Sequence, residues 1–295
     1  SAVIITQPLK VNELCSDAGL TNCRPAHTPG IPNVLLSDRD CPSPDDKVQL
    51  EFMRNKPYRK RVGQLLWIAR SSRPDISYQV NALARVAHNP GKAHWEASTY
   101  LIRYVSHTRD FGLVYRRPDT IPSGPTIWSD ATWAPDYGTW WDNYRSTSGF
   151  CATGNLNGSN IISWGSLRQP VVALSSAESE WYAAVESAKE ALYIQKVFKD
   201  LDMSAVIPML LQCDNQSSIK QSLMAVNQRA SRHVGLKAHF LRHLCHAGKV
   251  IMQYMCTTDQ LSDLLTKVLP RPTHEHLRRK MGILSYDEFN GLPVS

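Results

Sequence analysis

Four acidic residues stand at positions where carboxylate chemistry could be gathered: Asp130 in TIWSDATWA, Glu180 in SSAESEWYA, Asp214 in PMLLQCDNQ and Asp263 in DQLSDLL. Asp130 lies on a predicted strand, and Asp214 follows directly on an apolar run that reads as a buried strand. Glu180 and Asp263 fall in the first turns of two predicted helices. Carboxylates at the ends of adjacent parallel strands converge at one edge of a sheet, and a helix packed on that sheet can add another. Such groups repel one another unless a cation sits among them. Hard oxygen ligands suit Mg²⁺. Two such ions about 4 Å apart would hold an attacking water and a leaving oxygen in line across a phosphate. Spacing alone does not single out four acids from 26, because most Asp and Glu are solvated.

The elements that must position these acids are legible in the hydrophobic pattern. Residues 57–109 are predicted helical. PYRKRVGQLLWIAR carries Val62, Leu65, Leu66 and Ile68 at helical spacing, and PDISYQVNALARVAH follows with Pro74 near a helix start. GKAHWEASTYLIRYVSHTR comes next, after the Asn89-Pro90-Gly91 break. FGLVYRR reads as a strand. From residue 126, TIWSDATWA, SGFCATGN and NIISWGSL read as three strands, with an Asn157-Gly158 turn between the last two. Ser175 and Glu178 form a capping-box signature that opens a helix to about Asp200. PMLLQC and KVIMQYMC are further strands, with helices at about 215–224 and 234–246 between them, and DQLSDLLTKVL is a short closing helix. Three adjacent strands followed by α/β alternation predict a mixed α/β sheet with helices on it. Residues 24–48, rich in Pro, Asp and Ser, read as an irregular connector. The abrupt apolar opening, AVIITQPL, reads as a cut from a longer chain.

WSDATWA, RSTSGF, SWGS, RQPVVALSSAESEWYA, CDNQSSI and TTDQLSDLLTK, in this order and spacing, resemble the ribonuclease H domain of copia-type LTR retrotransposon Pol polyproteins. PYRKRVGQLLWIARSSRPDISYQVNALARV, NPGKAHWEASTYLIRYV and GLVY resemble the thumb-like and connecting segment that follows the polymerase palm in the same polyproteins. The resemblance implies a ribonuclease H-like mixed five-stranded sheet with flanking helices, preceded by a small helical thumb/connection segment. It divides the chain into 1–120, 121–270 and a C-terminal tail at 271–295. It implies hydrolysis of the RNA strand of RNA–DNA hybrids with two Mg²⁺ ions, with Mn²⁺ as a substitute. Asp130 would bridge both ions, Glu180 and Asp214 would hold the first, and Asp263 the second. Glu178 is then the capping neighbour and Asp259 a helix N-cap. The polymerase part of the same polyprotein, or a host assembly, is the implied partner. The Tyr-x-Asp-Asp polymerase signature is absent, and Asp45-Asp46 is no substitute, so polymerisation is not expected of these residues. Gly235 stands where the family usually has an Asp, and the link at 136–145, with Trp140 and Trp141, is longer than usual. A domesticated fragment acting as a non-catalytic nucleic-acid-binding or structural component is the alternative reading.

The remaining features concern binding. An apolar fraction of 42% can build a core, which argues against a disordered chain. Of the net charge of +7, +6 falls within residues 1–120. Arg59, Lys60, Arg61, Arg70 and Arg73 cluster there and are candidates to grip phosphates, with Arg145, Arg168 and Arg232 as weaker ones. Asn215, Gln216 and Ser217 could bond sugar 2′-hydroxyls, or Asn215 could cap a helix. Trp140 and Trp141 could stack on a base or cover an apolar patch. His239, His243 and His246 share a helix face with Cys245 beside them, but a structural zinc needs four closed ligands. Seven Cys without a CxxC pair argue against a disulfide scaffold or zinc ribbon. They fit a reducing intracellular compartment, cytoplasmic (in a virus-like particle) or nuclear. There is no 18-residue apolar run, so no membrane partner is expected, and no signal pattern opens the sequence.

Overall fold

The computed structural model describes residues 2–34, 36–117, 125–133, 145–154, 158–202, 208–216, 219 and 232–291, without the side chains of 232–238. Trp140, Trp141, the side chain of Arg232 and most of the predicted 215–224 helix lie outside the described residues.

The first part is built from β1 (Ala2–Thr6), α1 (Pro8–Ala18), α2 (Lys47–Met53), α3 (Tyr58–Ser71), α4 (Ser77–Arg85), α5 (Lys92–His107) and β2 (Gly112–Arg116). Helix α3 buries Tyr58, Val62, Leu65 and Ile68 at three- and four-residue spacing, and α5 buries Leu101, Ile102 and Val105. They meet Leu14 of α1 and Leu83 of α4 in one apolar cluster. Pro74 opens a short 3₁₀ turn, Pro74–Ile76, and α4 begins only after it. The described residues of segment 24–46 are irregular apart from the 3₁₀ turn Asp38–Asp40, and α2 takes over at Lys47.

The second part carries β3 (Thr126–Thr132), β4 (Thr147–Thr153), β5 (Ile161–Arg168), α6 (Ser176–Asp200), β6 (Met209–Cys213), α7 (Arg232–His246) and β7 (Val250–Tyr254). These strands form one mixed sheet in the order β5-β4-β3-β6-β7. The pairs β3–β4 and β4–β5 are antiparallel, and β3–β6 and β6–β7 are parallel. This is the mixed sheet that the strand pattern predicts, with the five strands of the ribonuclease H-like sheet that the resemblance implies. Strand β4 is buried along its whole length, which requires cover on both faces of the sheet. Successive β3 residues supply both faces: Ile127 joins the cluster under α6 and α7, and Trp128 joins the opposite one. The small buried residues Ala184, Ala188 and Ala191 bring α6 close to the sheet.

Residues 271–291 are not a tail. They form α8 (Arg271–Lys280), β8 (Ile283–Leu284) and α9 (Tyr286–Asn290). Strand β8 pairs with β2, which also pairs with β1, giving a second, three-stranded antiparallel sheet. The apolar opening segment is thus a paired strand. Leu277, Met281 and Ile283 pack with Trp128 and Leu113, so the chain's last elements close the core between its first part and the sheet. A buried polar network ties the same regions together. Arg73 Nε and Nη2 donate to the two Asp75 oxygens at 2.9 and 2.8 Å, and Tyr104 donates to Asp75 Oδ2 at 2.7 Å. His274 of α8 meets the Tyr104 ring edge-on at 5.5 Å, and burial pushes its imidazole down to about 4. The first part also bonds the sheet directly: Asn81 Nδ2 donates to Ser166 O at 2.9 Å and Trp164 Nε1 to Ala69 O at 3.1 Å.

Candidate active site

Two strands bring the first pair of acids together. The parallel register of β3 and β6 ends at Ser129↔Cys213. The next residues on each strand are Asp130 and Asp214, neighbours on one side of the sheet edge. Asp130 is 3% exposed. Asp214 is half-buried and accepts a hydrogen bond from Thr257 Oγ1 at 2.9 Å.

Helix α6 brings the third. Ser175 caps it, its Oγ accepting from Glu178 N at 3.2 Å. The Glu178 carboxylate accepts from Leu174 N at 2.8 Å, so Glu178 is occupied at the helix start. Glu180, half a turn further, is 7% exposed and turned toward the strand ends. Glu180, Cys213 and Asp214 each offer an atom within 4.8 Å of the others'.

The segment after β7 brings the fourth, as a 3₁₀ turn, Leu261–Leu265, not as the predicted helix. Its N-cap is Gln260, which also donates to Ser129 O at 2.9 Å. Asp259 is therefore not the cap; it pairs with Lys280 at 2.6 Å and faces His276 at 3.5 Å. Thr266 donates to Asp130 Oδ2, and Thr132 donates to Thr266 O at 3.0 Å. Gly149, the register partner of Asp130, leaves room for this turn. A Cβ there would stand 2.7 Å from Thr266 Cγ2 and 2.9 Å from Leu265 Cβ and Ser262 O. The turn holds Asp263 at 4% exposure, and its next basic residue, Lys267, reaches Asp263 Oδ1 at 2.8 Å and Asp130 Oδ2 at 3.9 Å.

The electrostatics are those of crowded, buried acids. Burial, then Asp130 and Asp214, push the Glu180 carboxyl far above the usual carboxylate range. Burial and Asp130 raise Asp214, against the Thr257 hydrogen bond. Asp263 is raised by burial and by Asp130, and lowered by Lys267. Burial disfavours charge on Lys267, but Asp130 and Asp263 outweigh it and hold the ammonium above its ordinary value.

The donor set fits a hard divalent ion. Glu180 Oε2 is buried without a hydrogen-bond partner among the described residues, and an oxygen so placed is costly unless something satisfies it. Cys213 is no ligand for such an ion. Soft sulfur does not suit Mg²⁺, and burial and Glu180 push the thiol up to about 12.

The basic candidates separate into two groups. Arg73 is 1% exposed and its guanidinium is consumed by Asp75 and Thr108. Arg61 is 6% exposed, lies 3.6 Å from the Trp95 ring centroid and donates to Ser98 and Thr99. Neither faces a nucleic acid in this fold; both are internal ties, which corrects the sequence-based assignment. Arg59, Lys60 and Arg70 are exposed on α3, although Lys60 is 2.7 Å from Asp17. Arg168 ends β5 half-buried, Arg145 is half-buried just before β4, Asn215 is half-buried beside Asp214, and Gln216 is exposed. His239, His243 and His246 are exposed on α7, and among the described residues no cluster of potential metal ligands includes them. The sequence reading missed Lys267, Thr266, Thr257 and Gln260. Only Lys267 left a signal, its four-residue spacing from Asp263.

No protein-family model matches the chain. It is 30% identical over 281 residues to the retrovirus-related Pol polyprotein from transposon TNT 1-94 of Nicotiana tabacum, covering 95% of this chain and 20% of that protein. It is 33% identical over 227 residues to the Pol polyprotein from transposon RE2 of Arabidopsis thaliana, covering 77% of this chain and 15% of that protein. The chain thus spans a fifth or less of these relatives' length. Among solved structures it is similar to the N-terminal RNase H domain of Rv2228c from Mycobacterium tuberculosis, at 10% identity and a TM-score of 0.35, over 53% of this chain and 96% of that one. Among the described residues no helix is long and apolar enough to cross a membrane. The matched motifs and the identity to transposon Pol proteins over most of its length assign the chain to the family of copia-type retrotransposon Pol polyproteins.

Proposed function

We propose that this chain hydrolyses the RNA strand of RNA–DNA hybrids, with Asp130, Glu180, Asp214 and Asp263 as the site. The observation that carries the reading is the convergence of these acids at one sheet edge, with a buried Glu180 oxygen that has no hydrogen-bond partner among the described residues. Asp130, Glu180 and Asp214 would hold one Mg²⁺ ion, and Asp130 and Asp263 a second. When bound, such ions activate a water and stabilise the departing 3′-oxygen. The chain's own contribution is positioning. Thr266 fixes Asp130, Thr257 fixes Asp214, and the α6 start brings in Glu180. Asn215 and Gln216, which follow Asp214, are placed in sequence to meet a sugar 2′-hydroxyl. Arg59, Lys60 and Arg70 supply exposed positive charge for the backbone of the hybrid.

The test is incubation of the protein with labelled RNA–DNA hybrid, double-stranded RNA and double-stranded DNA, in Mg²⁺ or in EDTA. The expected result is cutting of the hybrid's RNA strand only, and only with metal. Equal cutting of double-stranded DNA, or full activity in EDTA, would reject the reading. Hybrid binding without any cleavage would support a non-catalytic nucleic-acid-binding role instead.

A further inference from the structure

We propose that the Lys267 ammonium is a built-in counter-cation on the Asp130–Asp263 side of the cluster, which a second divalent ion must displace in order to bind. The inference rests on the proposed function and concerns the occupancy of that same site. Lys267 Nζ is 2.8 Å from Asp263 Oδ1 and 3.9 Å from Asp130 Oδ2. Both carboxylates are nearly fully buried. Asp130 Oδ2 also accepts the Thr266 hydroxyl hydrogen bond, so this carboxylate oxygen already has one donor and a cation beside it. A Mg²⁺ ion binds oxygens at about 2.0–2.1 Å. An ammonium within hydrogen-bond distance of Asp263 stands in the space such an ion would need.

The other side of the cluster differs. Among the described residues, the ion pairs of Lys267 are with Asp130 and Asp263, and neither Glu180 nor Asp214 has an ion pair with a basic side chain. The two ion positions are therefore unequal. At one, no basic side chain among the described residues stands within ion-pair distance, and Lys267 acts on Glu180 and Asp214 only from farther away. The other is held by a tethered positive charge that is 39% exposed and so has solvent to swing into. The turn supplies the tether: Lys267 lies four residues after Asp263 and directly after Thr266. An adjacent opposite charge changes the affinity of a carboxylate for a proton by about one to three orders of magnitude, and the same effect applies to a metal ion.

The test is Mn²⁺ titration of the full chain, read by electron paramagnetic resonance and by calorimetry, for wild type, Lys267→Met and Lys267→Arg. Lys267→Gln serves as a second neutral variant, and metal-free melting verifies that each protein folds. The wild type is expected to take up one ion at least about tenfold more tightly than a second. Lys267→Met and Lys267→Gln should bind the second ion about tenfold or more tightly than the wild type, bringing the two affinities together. Lys267→Arg should keep the wild-type inequality. A neutral variant whose second ion binds no better than in the wild type overturns the role of Lys267 while leaving the proposed site intact. If neither wild type nor variants take up Mn²⁺, the proposed function falls as well.

Discussion

Asp214 feels opposing influences: burial and Asp130 raise its pKa, and Thr257 supplies one compensating hydrogen bond. Neutralising it relieves repulsion, so Asp214→Asn should stabilise the metal-free fold by about 1 kcal/mol. Added Mg²⁺ should raise the melting temperature of the wild type and raise that of the mutant less, because one ligand is lost. Melting curves with and without Mg²⁺ decide this, and identical metal shifts in both proteins would contradict it. The raised carboxyl pKa values also set a pH dependence. The folded, metal-free site keeps protons that the unfolded chain releases, so its contribution to stability falls as pH rises above the ordinary carboxylate value of 4.5. Metal replaces those protons. The stabilisation by Mg²⁺ should therefore grow from pH 5 toward pH 8, and a melting shift that is flat across that range would count against the cluster. At this scale the convergence of the four acids was legible because each stands in a motif of its own. The arginines were not: a basic run does not reveal that Arg73 has a carboxylate two residues ahead and a buried hydroxyl to bond, or that Arg61 lies under Trp95. Lys267 was hidden by the opposite ambiguity, since an Asp–Lys pair at four-residue spacing is also what a solvated helix face carries.

The 3₁₀ turn at Leu261–Leu265 is the element on which Asp263, Thr266 and Lys267 depend, and Gly149 is its seat. Gly149→Ala adds a methyl group against Thr266, Leu265 and the Ser262 carbonyl. Overpacking of this kind costs about 1–3 kcal/mol. The variant should lose that much in denaturant titration and also lose most of its Mg²⁺-induced melting shift, because the turn moves off Asp130. Unchanged stability and an unchanged metal response would show that the turn does not depend on this contact. The predicted strands β2 to β7, the helices α3 to α6 and the α6 cap were readable from local periodicity and capping residues. The 3₁₀ geometry of the turn was not, because an apolar LSDLL pattern fits a helix equally well. Strands β1 and β8 were missed for another reason. Each is short and makes its hydrogen bonds to β2, with Val3 opposite Tyr115 and Ile283 opposite Leu113, and such distant pairings leave no local trace.

The whole molecule is tied across its length by the Arg73–Asp75–Tyr104 network and the His274 helix that packs on it. Removing one partner of a buried ion pair strands the other charge, so Asp75→Ala should destabilise the protein by about 3–5 kcal/mol. Chemical denaturation checks the figure, and a loss below 1 kcal/mol would show that the network is not under this constraint. The excess of positive charge in residues 1–120 was plain from composition, but only its exposed part can meet phosphate. Replacing Arg59, Lys60 and Arg70 with Gln should weaken hybrid binding and reduce the slope of log affinity against log salt by about 2 to 3. An unchanged slope would place the nucleic-acid contacts elsewhere. The expectations about metal and cleavage depend on one claim, that the acids at the sheet edge form a metal-dependent site for cutting RNA in a hybrid. The most direct measurement is single-turnover cleavage of an end-labelled RNA–DNA hybrid by wild type and Asp130→Asn at saturating Mg²⁺, with hybrid binding followed in parallel in Ca²⁺. The account predicts RNA-strand cleavage by the wild type and a loss of about a hundredfold or more in the mutant, with binding retained. Equal cleavage by both proteins, or cleavage by the wild type that persists in EDTA, would contradict it.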